Sequence, residues 1–375
     1  MHFRNTMFAK VLASSAAAMI ATTSLYAIPK GPCDPKPADV CCDEPKPGPF
    51  GFAFPMDMGL ACPRDFYVHI DGLAFQAKQF GMEFVVQDSS GTNGAAPVAP
   101  LTNGRVEGFS NDHTDWDFNF GMRFGVGFFL DHDAWNLDFN WTWLNITDYK
   151  HANASNLTGI LIPLWTLGIN TTAATIGKRS SAVWDTAYNT VDARLGKPYH
   201  VSRYLTLSPH IGTRFGWIDQ HFSVDYQGAF PTTGRTIHHA DNDFWGIGIR
   251  TGVDTDWVLG KGWSLFGNLA IAMLYGKFEI DQNMTQTDSD GFDIKFDFYQ
   301  NVPNFEMALG LCWGRYFDKM KYHVALKAAY EFHEWWSQLN LRKFYSNAAN
   351  FYVNDTVSRG DFTLNGFSLR LQLDI

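Results

Sequence analysis

Residues 116–130 read WDFNFGMRFGVGFFL and decide the fold, because apolar and polar side chains alternate along them. From Trp116 to Leu130 the even positions are apolar, and the odd positions are polar, charged or glycine except at Phe129. Strict alternation predicts a β-strand with one apolar and one polar face. The strand has about 15 residues, whereas an ordinary soluble strand has five or six. Such a strand is typical of a transmembrane β-barrel, apolar outside and polar inside.

The same alternation recurs to the end of the chain, at 66–71, 135–143, 205–217, 245–257, 305–313, 322–333 and 367–375. We therefore expect an all-β, antiparallel up-and-down barrel of about ten strands over residues 64–375. The weaker pattern at 291–299 would make twelve strands. A change of phase at Gly72–Leu73 predicts a bulge or a kink.

Short and long connections alternate between these strands. Short turns are expected near 131–133, 197–203, 260–262 and 318–321, and long outer loops at 89–112, 149–182, 227–241, 281–302 and 337–360. Short periplasmic turns and long outer loops are typical of outer-membrane barrels. Residues 159–169 form an apolar patch in the second long loop. We expect this patch either to fold into the barrel mouth, to pack within its own loops, or to bind a host surface or a neighbouring subunit.

Tryptophans on the apolar faces predict aromatic girdles at the two surfaces of the bilayer. Trp245 and Trp257 share one face and are about 30 Å apart along the membrane normal, if a strand rises roughly 3.3 Å per residue and tilts about 40°. The girdle candidates are Trp116, Trp135, Trp143, Trp217, Trp245, Trp257 and Trp313.

The N-terminal region differs from the rest. Residues 1–27 predict a secretory signal peptide, with basic Arg4 and Lys10, a short apolar stretch and a cleavage site after Ala27. Residues 28–63 hold more than half of the prolines, which predicts a semi-extended periplasmic arm. Four of the five cysteines lie there, and an oxidising compartment favours disulfide bonds between them. They are Cys33, Cys41, Cys42 and Cys62.

Composition agrees with export to the bacterial outer membrane. The mean hydropathy is −0.17 while aromatic residues make up 16%, as expected when each strand faces both lipid and water. No later segment reaches the roughly 18 apolar residues of a membrane helix. The net charge of −9 excludes the basic footprint of a nucleic-acid-binding protein. The expected partners are therefore outer-membrane lipid and small hydrophilic solutes.

Charged residues on the polar faces are the candidate lumen residues. Either opposed charges across a water-filled lumen set ion selectivity, or the charges pair and close the lumen. Cys312 is expected as a small lumen residue. The inward candidates are Arg123, Arg194, Arg214, Arg250, Arg370, Asp117, Asp138, Asp192, Asp254, Glu306 and Glu331.

Catalytic spacing is not evident. His323, His333, Glu331 and Asp256 face inward, yet no nucleophile–base or paired-carboxylate arrangement emerges from the sequence. We therefore predict no enzymatic activity, no cofactor and no metal site.

Several short motifs are spread over residues 64–375. They are WDF (116–118), GMR (121–123), DAW (133–135), NWT (140–142), DGLAFQA (71–77), LSPHIG (207–212), IDQ (218–220), GIG (246–248) and YEFHEW (330–335). Together these motifs resemble the major outer membrane proteins of Legionella and of chlamydiae-related bacteria. This resemblance implies an abundant barrel acting as a general diffusion porin, sometimes also a surface antigen or adhesin. The chlamydial resemblance also implies disulfide cross-links to other envelope proteins, as an alternative to two bonds within the arm. Ten strands are fewer than the sixteen or so of a general porin.

The predicted function is passive diffusion of small hydrophilic solutes or ions through the barrel, with a structural role in the envelope. Homo-oligomers and host-surface contacts are further expected partners. The alternative is a surface adhesin or structural protein with a closed lumen.

Overall fold

The computed structural model describes residues 54–55, 66–88, 104–110, 118–130, 135–154, 160–166, 178–229, 234–287, 289–319, 321–347 and 352–375. The chain divides into two compact units, 1–46 and 47–375, and every described residue belongs to the second. The predicted signal peptide and the four arm cysteines lie outside the described residues. Within these ranges no helix has the length and apolar character needed to cross a membrane.

The described residues form β-strands joined by turns. In chain order they are β1 (Phe54–Pro55), β2 (Phe66–Gln79), β3 (Val85–Asp88), β4 (Gly104–Glu107), β5 (Asn119–Phe129), β6 (Asn136–Asn153), β7 (Ile160–Pro163), β8 (Arg179–Gly196), β9 (Tyr199–His200), β10 (Leu205–Ala229), β11 (Gly234–Gly260), β12 (Trp263–Gln286), β13 (Ser289–Phe317), β14 (Tyr322–Asn347) and β15 (Tyr352–Asp374).

Ten of these strands close into an antiparallel barrel. The hydrogen-bonded order is β2–β5–β6–β8–β10–β11–β12–β13–β14–β15, and β15 pairs with β2 to complete the ring. Closure satisfies the backbone hydrogen bonds of every wall strand, which is what a hydrocarbon environment demands. The short β1 and β9 pair with each other at the end of the barrel where the turns are short.

The predicted ten-strand barrel is confirmed, and the alternative of twelve is not. Residues 291–299 belong to β13, which pairs with β12 as far as Ser289. Most of the long loops predicted at 227–241, 281–302 and 337–360 are also strand. These segments extend the wall strands beyond the part whose outer surface is apolar. Their outward side chains are polar, so they do not show the apolar-outside, polar-inside alternation from which strands were predicted.

The alternation inverts partway along each long strand. In the first half of β12, next to the short turn, the outward residues Ile271 and Met273 are apolar and the inward residues Ala270 and Ala272 are small. In the second half, Phe278 and Ile280 point inward and Glu279 points outward. The same inversion explains the phase change at Gly72–Leu73, where the predicted bulge is wrong. The register of β2 with both neighbours is continuous there. The outer surface therefore changes from lipid-facing to water-facing, and the inner surface from polar to apolar.

The tight turn at residues 260–262 is confirmed. Lys261 and Gly262 have φ angles of 56° and 82° between the paired residues Gly260 and Trp263. Two successive positive φ angles suit a two-residue hairpin turn. Such short turns mark the end that faces the periplasm in outer-membrane barrels.

A second, three-stranded sheet lies inside the barrel, against the inner wall at the end opposite the short turns. It is formed by β4, β3 and β7 in that order. Tyr226 donates a hydrogen bond to the Phe84 carbonyl oxygen (2.6 Å), and the Phe109 ring packs 5.7 Å from Trp184 and 6.1 Å from Phe222 of the wall. We call this sheet, with its flanking residues 82–84, 108–110 and 164–166, the inserted sheet.

The apolar patch at 159–169 therefore has a place in the fold. Within its described part, Leu161 and Trp165 are buried, and the Trp165 ring lies 5.4 Å from Phe222. Of the alternatives for this patch, the structure matches folding into the barrel mouth. We call the part of the barrel beyond the apolar outer band, opposite the short turns, the long-strand half. The inserted sheet packs against its inner side.

The lipid-facing band can be tested by placing a charge in it. Ile249 is 65% exposed on the outer wall, so Ile249→Arg is expected to lower the free energy of unfolding by about 2–4 kcal/mol in lipid vesicles. His239→Arg, on the outward face of the polar extension of the same strand, should have little effect. Urea titration of vesicle-inserted protein measures both variants. Equal effects would contradict the placement of the band.

Candidate functional site

Charged side chains cross the interior of the barrel at the level where its outer surface is apolar. Arg214 on β10 donates from Nε and Nη2 to the two carboxylate oxygens of Asp192, both at 2.6 Å. Its Nη1 donates to Glu306 and, at 2.6 Å, to Asn304 Oδ1. Arg250 Nη2 donates to the second oxygen of Glu306 at 2.8 Å. Glu306 thus joins two arginines from strands that are not its neighbours.

A second group lies across the lumen. Arg123 on β5 holds Glu331 through both terminal nitrogens, at 3.1 and 2.9 Å, and also donates to Asp71 at 3.0 Å. Asp71 accepts two further bonds from Arg370, both at 2.8 Å, and contacts His69 Nδ1 at 3.0 Å. The two-pronged geometry of arginine with carboxylates is the strongest form of such contacts.

His333 joins the two groups. Its Nδ1 lies 3.1 Å from Glu306 Oε1 and its Nε2 lies 3.0 Å from Glu331 Oε2. An unbroken chain of contacts therefore crosses the lumen, which we call the lumen network. Its members are Asp192, Arg214, Glu306, Arg250, His333, Glu331, Arg123, Asp71 and Arg370.

The network is balanced and mostly buried. Four arginines face four carboxylates, and side-chain exposure ranges from 1% for Asp71 to 21% for Arg370. Buried charges are tolerated when each is paired and hydrogen-bonded. Of the two predicted states of the inward charges, the structure contains the paired one.

A side branch lies beside the network. Arg194 donates from Nη2 to Asp138 at 2.6 Å, and its Nη1 lies 3.6 Å from Asp254. Asp138 also accepts a hydrogen bond from the Tyr67 hydroxyl at 2.9 Å.

Glycine at alternate inward positions of β5 makes room for these neighbours. A Cβ atom on Gly125 would overlap the His69 ring, and one on Gly127 would overlap the Tyr67 ring. Gly125 and Gly127 therefore allow the His69 and Tyr67 rings to pack closely against β5.

Most predicted lumen residues are where alternation put them. Asp117 and Trp116 lie outside the described residues. Two network members were not among the charged lumen candidates: Asp71, which has the same phase as Arg370, and His333, which the sequence places inward but does not connect to the network. Asn304, which accepts a hydrogen bond from Arg214, was not predicted either. Which of these side chains sets selectivity stays a prediction.

The tryptophans and Cys312 also have defined positions. Trp143, Trp245, Trp257 and Trp313 are exposed on the outer wall, while Trp135 and Trp217 are half-buried. Cys312 is a buried free thiol facing inward. That the tryptophans contact the membrane surfaces stays a prediction.

The inserted sheet packs against the inner wall beyond the network. Trp165 Nε1 donates to the Glu83 carbonyl oxygen at 2.8 Å, and Lys343 Nζ lies 4.5 Å from the Trp165 ring centre. The His238 ring also packs against this ring, with 5.2 Å between the ring centres. Burial lowers the pKa of His238 to about 3, so this histidine is neutral at physiological pH. Among the described residues, no three His, Cys, Asp or Glu side chains are grouped as a metal site requires.

Breaking the network at its centre is expected to be costly. Arg214→Met leaves Asp192 and Glu306 without their main partner, so the free energy of unfolding should fall by about 3–5 kcal/mol. The control is Arg235→Met, because Arg235 forms an exposed pair with Asp225 and such pairs contribute little. Urea unfolding in lipid vesicles compares the two. Similar values for both variants would show that the network does not support the barrel.

Comparison with known proteins places this architecture in a family. Residues 63–375 match the family model described as Legionella pneumophila major outer membrane protein precursor. No curated protein matches the chain. Among solved structures, the outer membrane protease OmpT of Escherichia coli is 11% identical, with 84% of this chain and 97% of that chain covered and a TM-score of 0.41.

A second similar structure is the Pseudomonas putida toluene transporter TodX, at 10% identity, covering 84% of this chain and 90% of that chain with a TM-score of 0.29. A third is a Pseudomonas aeruginosa FadL homologue, at 8% identity, 82% and 89% coverage and a TM-score of 0.21. With the family model matched over the entire barrel, the chain belongs to the Legionella major outer membrane protein family and is a β-barrel protein of the bacterial outer membrane.

Proposed function

We propose that the protein is a porin that lets small hydrophilic solutes diffuse passively across the outer membrane, and that the lumen network closes its lumen at rest. The observation that carries this proposal is the chain of paired charges across the lumen. A well-packed apolar interior would be as stable as a buried ionic one, or more so. Ionisable side chains inside a membrane protein therefore favour a functional role.

One contact in the network can open while each of its two partners keeps another polar contact. If Arg123 releases Glu331, Arg123 keeps Asp71 at 3.0 Å and Glu331 keeps His333 at 3.0 Å. By contrast, Arg214 donates two hydrogen bonds to Asp192 and one to Glu306. Its release would remove both bonds to Asp192, while Glu306 would keep Arg250 at 2.8 Å. We therefore propose the Arg123–Glu331 contact as the gate of the lumen.

Single-channel recording in planar bilayers tests the gate. The wild-type barrel should show rare, brief openings, and Glu331→Gln should increase the open probability about tenfold or more, because a neutral amide holds a guanidinium less strongly than a carboxylate does. Glu279→Gln is the matched control, since Glu279 is exposed on the outer wall next to Lys277.

Unchanged gating in Glu331→Gln would reject this contact as the gate. Silence from a folded wild type and from both variants would reject the porin itself.

The second candidate is a surface adhesin or structural protein with a permanently closed lumen. The inserted sheet favours it, because Trp165, Phe109 and Phe84 pack against the inner wall as a protein core does. In that case conductance would be absent in every variant, and purified protein would bind host cells through its outer loops.

We also propose that the protein is not an enzyme. The inward histidines and acids of the described residues contact one another: His333 lies between two glutamates, His323 lies 2.6 Å from Asp374, and Asp256 accepts from Ser264. Turnover of a broad set of peptide and ester substrates by the folded barrel would contradict this.

Cross-linking of the envelope through Cys33, Cys41, Cys42 and Cys62 stays a proposal that rests on the sequence. Electrophoresis of cell envelopes without reductant tests it, and a monomer band alone would reject intermolecular bonds.

A further inference from the structure

A group of uncharged polar side chains is enclosed between the lumen network and the inserted sheet. Thr186, Gln220 and Asn242 are register partners on the neighbouring strands β8, β10 and β11. Gln338 on β14 approaches them across the lumen. Asn242 Nδ2 donates a hydrogen bond to the backbone carbonyl oxygen of Gln338 at 3.0 Å. We call these four residues the amide cluster. Each of them is buried, with at most 4% of its surface exposed.

The backbone of β14 is shaped to bring Gln338 inward. The pairing of β14 with β15 shifts between Trp335 and Leu339, and Ser337 within this bulge has a φ of 54°. That conformation is unfavourable for a residue other than glycine. Beyond the bulge, Asn340 N donates to Asn242 Oδ1 at 3.2 Å, and Arg342 N donates to Gln282 Oε1 at 2.8 Å. The wall amides thus hold the β14 segment inside the lumen.

The cluster has more hydrogen-bonding groups than its neighbours satisfy. In the described part of the chain, Thr186 Oγ1, Gln220 Nε2 and both Gln338 amide atoms are buried without a protein hydrogen-bond partner. Trp335 Nε1, three residues before Gln338, is a fifth such atom. Buried polar groups are normally paired, so a concentration of unpaired ones at one place indicates a polar ligand.

The chemistry of these atoms defines the class of ligand. Gln220, Gln338 and Trp335 offer N–H donors, while Gln338 and Thr186 offer oxygen acceptors. None of the four cluster side chains is ionisable, and an unpaired ion in such a site would be strongly disfavoured. A small uncharged molecule with hydroxyl or carbonyl oxygens matches both the donors and the absence of charge.

We propose that the amide cluster binds small uncharged, oxygen-bearing solutes and makes the lumen favour them over ions. This proposal rests on the porin function proposed above, whose solute class it specifies. Between the lumen network and the cluster lies a layer of buried apolar side chains, namely Tyr188, Ile218, Phe244 and Trp335. A solute that passes this layer meets the cluster, where its hydroxyl groups form hydrogen bonds with the two glutamines. A hydrated ion gains no compensating charge there.

Transport through the full-length protein in proteoliposomes tests the selectivity. Glycerol influx is followed by light scattering, and K⁺ conductance is measured on the same preparation. Gln338→Leu and Gln220→Leu should each lower glycerol influx about tenfold, as expected from lost hydrogen bonds, with K⁺ conductance nearly unchanged. Gln227→Leu, an exposed glutamine on the same strand as Gln220, is the control and should match wild type. Heat-dependent mobility in detergent gels verifies that each barrel is folded.

Unchanged glycerol influx in both variants, or an equal loss of glycerol and K⁺ transport, would overturn the proposal while leaving the porin function in place. If nothing is transported, a structure of crystals grown with glycerol tests the binding site independently of the porin function. Glycerol hydrogen-bonded to Gln220 and Gln338, and absent from Gln338→Leu crystals, would support the site without transport. If the Gln220 and Gln338 side-chain amides were instead hydrogen-bonded to each other, with no glycerol or water between them, the proposed site would be overturned.

Discussion

The pairing of charge inside the barrel is the constraint on which the rest of this structure depends. The pairs join strands that are not neighbours in the ring: Arg214 on β10 contacts Glu306 on β13, and Arg123 on β5 contacts Glu331 on β14. His333 connects these two pairs. A carboxylate in this interior without an arginine would carry a large desolvation penalty. The positions of the wall strands, their register and the small side chains between them must therefore agree with one another. Gly125 and Gly127 illustrate this agreement, since larger residues there would displace His69 and Tyr67.

The long strands combine two environments in one wall. In the lipid-facing half the outer surface is apolar and the lumen is ionic, as membrane barrels require. In the long-strand half the outer surface carries charges such as Asp241 and Asp281, while Trp184, Phe222 and Tyr226 pack inside against the inserted sheet. That half is built like a soluble protein, with an apolar core under a polar surface. The porin proposal concerns the ionic half, and the closed-lumen alternative draws its support from the apolar half.

The sequence was informative wherever local periodicity determines structure. Alternation predicted the strands, their inward and outward faces, the turn at Lys261–Gly262 and the closed ten-strand barrel. It failed where the environment, and not the strand, changes: the inversion of phase at Gly72–Leu73 looked like a bulge, and polar extensions such as 281–286 looked like loops. Periodicity records only which face is apolar, and both surfaces of the wall reverse beyond the membrane.

The site was predictable in composition and unpredictable in its contacts. Alternation placed Arg123 and Glu331 inside, but their contact joins residues 208 positions apart through a closed ring. Alternation also placed His333 inside, but not its contacts with Glu306 and Glu331. Gln338 faces inward because of the bulge between Trp335 and Leu339. Such contacts follow from the shape of the closed barrel, which no single strand encodes.

The most direct measurement of this account is the access of water to the lumen at the level of the network. Ala272 faces inward there, opposite Arg250 and Asn304 in the register, and is buried. A single cysteine at Ala272→Cys, in a chain whose other cysteines are serine, is exposed to a membrane-impermeant thiol reagent, with Asp293→Cys as the exposed reference.

The account predicts slow labelling of Ala272→Cys in the intact network and much faster labelling when Glu331→Gln is added. Labelling of Ala272→Cys as fast as the exposed reference in the intact network would contradict it, because the lumen would then be open and filled with water.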